Sequence, residues 1–296
     1  MATMTGRTIP LVVITGPTAS GKSGLALELA EKFGGEIICA DSRTVYRGMD
    51  IGTAKPSAQD QARVPHHLLD VVNPNERFTV HDFQLLAKKA VVEIRTRGNI
   101  PFLVGGTGLY IDSVVLDYDF PSDDDEIRRN LSDKTQEELH AMIKTLQLPM
   151  PLNSQNRRHL VQAIVASEQK PTAKTVPDAA THVVAIATDK ATLEERVVAR
   201  ADEMFESGVL DEARRLAKQY GWESEAMTGN IYPIQREVLE GRMSQPEGIE
   251  RFIIRDRQLA KRQITWLKRH NFVRWLNLDD ARVYIDELLG ASVAAK

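Results

Sequence analysis

The chain has 296 residues, 42% of them hydrophobic and 27% charged, with a net charge of −3. No stretch approaches the ~20 apolar residues that cross a bilayer, and Met1 to Pro10 lack the apolar run of a signal peptide. The single cysteine, Cys39, excludes an internal disulfide and a cysteine-rich zinc site. A cytoplasmic protein with no membrane partner is expected.

The near-neutral total hides an uneven distribution. Asp117 to Glu126 form an acidic run, whereas Arg251 to Trp275 carry eight Lys/Arg against one acid, Asp256. Such a basic segment is either a solvated helix face or a local site for a polyanion.

In chain order, Leu11–Thr15 reads as a buried strand. It runs into Gly16-Pro17-Thr18-Ala19-Ser20-Gly21-Lys22-Ser23, a complete G-x-x-x-x-G-K-[ST] loop, and then a helix to Phe33. In that context the glycines turn backbone N–H groups toward phosphate oxygens, Lys22 adds a positive charge, and the Ser23 hydroxyl is offered to Mg²⁺. The helix N-terminus points at the same anion. The ligand is therefore a polyphosphate, with its identity open.

Glu36–Ala40 reads as a second strand ending at Asp41, and His67–Val72 as a third. Phe83 to Arg97 has helical periodicity, and Ile100–Val104 is a buried strand ending in Gly105-Gly106-Thr107-Gly108. His182–Ala187 is a later core strand, and Thr192–Tyr220 and Ile249–His270 read as long helices. Strands alternating with helices predict an α/β fold, a parallel sheet with helices on both faces. Residues 117–179 show no buried-strand pattern; helices are expected at Glu126–Leu146 and Arg157–Ser167. The chain thus divides into a P-loop core (1–116 and 180–296) and a helical insertion (117–179). His66, His67 and His81 lack a third ligand at metal-like spacing and read as structural.

A P-loop kinase would place a second acid at the end of a later strand. The strand before Gly105 has none. Asp41 is the only acid at a core strand tip near the loop, and strand C-termini form the crevice of an open parallel sheet. Asp41 and Thr107 are thus expected to face the loop from neighbouring strands. A carboxylate there can hold metal through water, act as a general base, or simply stabilise a turn.

Four blocks carry a resemblance: Asp41 to Pro56, Pro65 to Asp70, Val104 to Tyr110, and Lys261 to Lys268 (KRQITWLK). In order and spacing they resemble the tRNA dimethylallyltransferases, also called tRNA isopentenyltransferases. The resemblance implies that the loop (Gly16, Thr18, Ala19, Ser20, Gly21, Lys22, Ser23) holds the diphosphate of dimethylallyl diphosphate, with Mg²⁺ at Ser23. The prenyl group would pass to N6 of the adenosine 3′ of the anticodon in tRNA. Asp41 would take the amine proton, with Thr107 assisting and Lys22 stabilising the leaving diphosphate. Thr18 and Arg262 are further candidates near the diphosphate.

The target adenine would be flipped out of the anticodon loop to reach Asp41. The resemblance places tRNA against Asp41, Ser42, Arg43, Thr44, Lys261, Arg262, Gln263, Thr265, Trp266 and Lys268, and against Arg157, Arg158 and His159 of the insertion. Trp266 either stacks on a base or fills the core, and its helical spacing favours core. Arg251, Arg255, Arg262 and Arg269 recur at steps of four and seven and should share a helix face. The chain departs from the family pattern at Thr44, Gln162, Ile231 and Pro233, all on the side expected to face RNA. A monomer is expected. A small-molecule P-loop kinase, an adenylate isopentenyltransferase and a nucleic-acid-binding protein with a remnant loop are the alternatives.

Overall fold

The computed structural model describes residues 8–120, 130–131, 133–151, 153–168 and 173–293. They divide into two compact units, residues 116–175 and the remainder.

In the larger unit, six strands form one parallel sheet: β1 (Leu11–Thr15), β2 (Gly35–Cys39), β3 (His66–His67), β4 (Ile100–Gly105), β5 (Thr181–Ile186) and β6 (Arg274–Leu276), in the order β3-β2-β4-β1-β5-β6. Every pairing is parallel, so all strand C-termini open at one edge. Ile14 pairs with Val104 and Val184, which puts β1 between β4 and β5.

Alternation along the strands sends Val12, Ile14, Ile37, Phe102 and Val104 to one face. There they pack with α1 (Lys22–Phe33) and α11 (Leu278–Val293) through Leu25, Leu29, Ala281, Ile285 and Leu289. The amphipathic α3 (Val80–Thr96) packs on β2 and β4 from the opposite face, burying Phe83, Ala87, Val91 and Ile94. Thr79 and Asp82 form a reciprocal cap at its start. The remaining helices are α2 (Ala58–Arg63), α4 (Gly108–Val115), α7 (Lys190–Glu206), α8 (Val209–Tyr220), α9 (Tyr232–Leu239) and the 23-residue α10 (Gln245–Leu267).

The smaller unit carries α5 (Gln136–Thr145) and α6 (Arg157–Glu168) around its own core of Leu131, Leu139, Ile143, Leu160 and Ile164. Residues 121–129, and with them the first part of the helix expected over Glu126–Leu146, lie outside the described residues; the rest of that helix begins only at Gln136, because the extended Thr135 forms a reciprocal cap with Glu138 and ends any continuation from the N-terminal side.

The larger unit departs from the sequence expectations in three places. The strand expected at His67–Val72 ends after His67, because Leu68 (φ 64°) and Asp70 (φ 53°) are left-handed and cannot continue a ladder. The long helix expected at Thr192–Tyr220 is two helices, broken where Gly208 adopts φ 91°. The edge strand β6 and the helices α2, α4, α9 and α11 are additions to the expected elements; the three residues of β6 are too few to show an alternation. No helix among the described residues is long and apolar enough to cross a membrane.

Candidate active site

The loop after β1 turns through Gly16 (φ 145°), Ala19 (φ 61°) and Gly21 (φ 88°) before α1 begins. Ala19 is a left-handed alanine, a conformation costing about 1 kcal/mol that persists where surroundings over-determine it. Ser23 is exposed at the start of α1. Lys22 is half-buried and donates to the Pro17 carbonyl at 3.0 Å. Burial, and secondly the Arg200 guanidinium, push its ammonium down to about 8, against the opposing fields of Asp41 and Asp256.

Two neighbouring strand ends meet beside this loop. Gly105 lies so close to the end of β2 that a Cβ there would stand 2.0 Å from the Ala40 carbonyl oxygen. Thr107 N–H donates to that carbonyl at 3.2 Å, and Thr107 Oγ1 accepts from Ser42 N–H at 3.1 Å. Asp41 is half-buried at the tip of β2; its Oδ1 accepts from Arg43 N–H at 2.7 Å, a local turn. Its second oxygen has no protein partner among the described residues. The turn role that the sequence left open for Asp41 is therefore filled by one oxygen, and the other stays available at the strand tip. Tyr110, stacked on Phe83 with ring centroids 4.1 Å apart, lies near Asp41; burial holds its hydroxyl well above its ordinary titration range.

The basic helix α10 is joined to the loop. Gln263 Oε1 accepts from Thr18 N–H at 2.8 Å, and Gln263 Nε2 donates to the Gly106 carbonyl at 3.0 Å. Asp256, 1% exposed, accepts from Arg200 Nη1 at 2.7 Å and from Thr18 Oγ1 at 3.3 Å. Arg200 also donates to Thr18 Oγ1 at 2.5 Å, and Arg196 to the Ser20 carbonyl at 3.1 Å. Sequence reasoning alone misses Arg196, Arg200 and Asp256 as site residues. The available signals are two arginines four apart on one helix and a lone acid in a basic segment.

Several residues expected to face RNA are occupied within the protein. Thr44, 5% exposed, and Ile231, 1% exposed, are buried rather than on a surface facing RNA. Gln263 spends both ends of its amide on Thr18 and Gly106. The Arg43 guanidinium donates to the Glu225 carbonyl at 3.0 Å. Thr265 Oγ1 bonds back to the Lys261 carbonyl. Trp266 lies against Gly108, where a Cβ would sit 2.3 Å from its ring, and its Nε1 donates to Asp112 at 2.7 Å. With Arg269 over its ring at 4.6 Å, Trp266 is a packing residue.

The four arginines on steps of four and seven do not act as one cationic stripe. Arg251 pairs with Glu237 at 2.7 Å, Arg255 donates to the Asn230 carbonyl at 3.1 Å, and Arg269 lies beyond the end of α10. Lys261, Arg262 and Lys268 are exposed and have no ion-pair partner among the described residues. In the smaller unit, Arg157 donates to the Leu131 carbonyl at 2.6 Å and the Lys134 carbonyl at 3.3 Å, and His159 is exposed. The side chain of Arg158 lies outside the described residues. His67 is structural, 2.6 Å from Glu36. Among the described residues no three His, Cys, Asp or Glu side chains cluster as a metal cage.

Similarity to known proteins shows the family of the chain. The family model of IPP transferases matches residues 44–270. The chain belongs to the IPP transferase family. It is 41% identical to tRNA dimethylallyltransferase 1 of Citrifermentans bemidjiense over 90% of this chain and 92% of that one. It is 35% identical to the tRNA dimethylallyltransferase of Staphylococcus haemolyticus over 94% of this chain and 90% of that one. The solved full-length tRNA isopentenylpyrophosphate transferase of Bacillus halodurans superposes with a TM-score of 0.72 at 31% identity, covering 97% of each chain. As a member of this IPP transferase family the chain is a prenyltransferase, and the small-molecule kinase reading falls.

Proposed function

We propose that this IPP transferase family member moves a dimethylallyl group from dimethylallyl diphosphate to N6 of the adenosine 3′ of the anticodon in tRNA. It would act as a monomer in the cytoplasm. The observation that carries this reading is the meeting of Asp41 and Thr107, on adjacent strand ends, with an intact phosphate loop on the next strand. Nucleophile activation and leaving-group stabilisation then belong to different strands with the reacting carbon between them.

In this reaction the amine nitrogen attacks C1 of the prenyl group, the C–O bond breaks, and diphosphate leaves with the electron pair. The free oxygen of Asp41 takes the proton displaced from nitrogen. Thr107, fixed by Ser42 N–H, helps to orient the amine. Loop amides, Lys22 and Arg200 stabilise the charge growing on the diphosphate. The Thr18 amide, already given to Gln263, takes no part.

Mg²⁺ fits this site. One exposed hydroxyl, Ser23, with no acidic cage among the described residues, suits an ion that keeps its waters and takes its other ligands from substrate phosphates. When bound, the ion would neutralise charge on the diphosphate oxygens. Lys261, Arg262 and Lys268 would meet RNA phosphates; His159 and Arg158 of the insertion would contribute to gripping the anticodon stem-loop.

The test is incubation with bulk tRNA, Mg²⁺ and labelled dimethylallyl diphosphate, in parallel with AMP as acceptor and with labelled ATP as donor. Label should move from the prenyl donor to tRNA. Transfer to AMP alone, or phosphoryl transfer from ATP, would overturn the reading.

A further inference from the structure

A carboxylate is an unexpected neighbour for an anion site. Asp256 is 1% exposed, yet it touches both the phosphate loop, through Thr18 Oγ1 at 3.3 Å, and the loop's adjoining cation, Arg200, at 2.7 Å. It is the sole acid among eight Lys/Arg between Arg251 and Trp275. One nitrogen, Arg200 Nη1, donates to both Asp256 and Thr18 Oγ1, so the three side chains meet at a point. The field of Asp256 also reaches Lys22.

Fold stability gives little reason for this acid. A buried ion pair recovers little beyond the desolvation of its charges, and apolar residues of similar volume commonly serve as well. Its position has a consequence for the ligand, because a fixed negative charge beside Arg200 opposes any anion that Arg200 and Lys22 attract. A site that releases diphosphate at each turnover is slowed by holding that product too tightly.

We propose that Asp256 is a positioning residue with an electrostatic counterweight: it fixes Arg200 and Thr18 at the phosphate loop and limits how tightly the site holds diphosphate. The inference rests on the proposed diphosphate-leaving reaction. It separates two roles that one side chain performs. The hydrogen bonds hold the guanidinium in place, and the charge weakens the grip.

The experiment measures binding of inorganic pyrophosphate with Mg²⁺ by calorimetry on the full chain, with product inhibition of tRNA prenylation alongside. Asp256→Asn keeps an oxygen for Arg200 and removes the charge. It should bind pyrophosphate about tenfold tighter, with stronger product inhibition and a lower KM for the prenyl donor. Asp256→Ser, which also removes the charge but reaches Arg200 poorly, should tighten binding less. A purely structural role predicts the opposite sign, weaker binding in both variants. Binding that is unchanged or weaker in both overturns the inference while leaving the proposed reaction intact. A wild-type protein that binds no pyrophosphate overturns the phosphate-loop reading itself.

Discussion

Gln263 and Thr18 lie far apart in sequence, yet the Gln263 side-chain carbonyl accepts the Thr18 N–H at 2.8 Å while its amide nitrogen donates to the Gly106 carbonyl at 3.0 Å. One side chain of α10 therefore sets the spacing between the loop after β1 and the turn that carries Thr107. Gln263→Ala would leave both backbone groups unpaired. It should cost about 1–3 kcal/mol in stability and, by loosening the spacing of the reacting groups, lower kcat/KM about 10- to 100-fold. Chemical denaturation and steady-state kinetics on the same preparation check both.

Asp41 should be separable from ligand binding. Its Oδ1 is engaged in the local turn to Arg43 N–H, and the second oxygen is left for the amine. Asp41→Asn preserves the turn acceptor and removes the base. It should lower kcat by about 10²- to 10⁴-fold with pyrophosphate affinity close to that of the wild type. Normal turnover in this variant would remove Asp41 from the reaction.

Arg200 should matter to substrate affinity as well as rate. Its guanidinium sits on Thr18 of the loop at 2.5 Å. Arg200→Ala removes a charge-assisted hydrogen bond and leaves Asp256 buried without its cation, so prenyl-diphosphate affinity should fall at least about 100-fold. Lys22→Ala should fall less, about tenfold, because Asp256 keeps its partner. Equilibrium binding of the prenyl donor ranks the two.

RNA affinity should depend on three cations rather than on the whole basic segment. Charge reversal at Lys261, Arg262 and Lys268 should weaken tRNA binding and make it less salt-dependent, by about 0.7 in log–log slope for each RNA phosphate that is no longer neutralised. Arg251→Ala, which breaks the pair with Glu237, should leave that slope unchanged. Filter binding at several salt concentrations distinguishes the sites.

Acid should unlock the sheet at Glu36. The Arg97 guanidinium first, opposed by burial and aided by Asn99 and His67, pushes this carboxylate down to about 2 from an ordinary 4.5. Its folded-state value is depressed, so its contribution is complete above about pH 4.5 and is lost as pH falls toward 2. Glu36→Gln should therefore destabilise the protein at neutral pH by about 2–3 kcal/mol, and much less near pH 2. Urea titrations across that range test the convergence.

The P-loop, the four main strands of the core and the placement of Asp41 beside Thr107 are legible in the residues themselves. They rest on local chemistry: glycine at positions needing left-handed or crowded backbone, apolar runs bounded by turns, and strand ends that share one edge. What the sequence could not decide is which cations are free. Arg251, Arg255, Lys261 and Arg262 look alike in a string of residues. Only packing spends the first two on Glu237 and the Asn230 carbonyl and leaves the others in solvent. The same holds for Thr44, which is buried, and for Gln263, a clamp between two loops. Asp256 makes the distinction sharpest. Its sequence setting marks it as an oddity, but its meeting with Arg200 and Thr18 joins three distant segments, because hydrogen-bond partners of buried polar groups are chosen by tertiary proximity and not by sequence spacing.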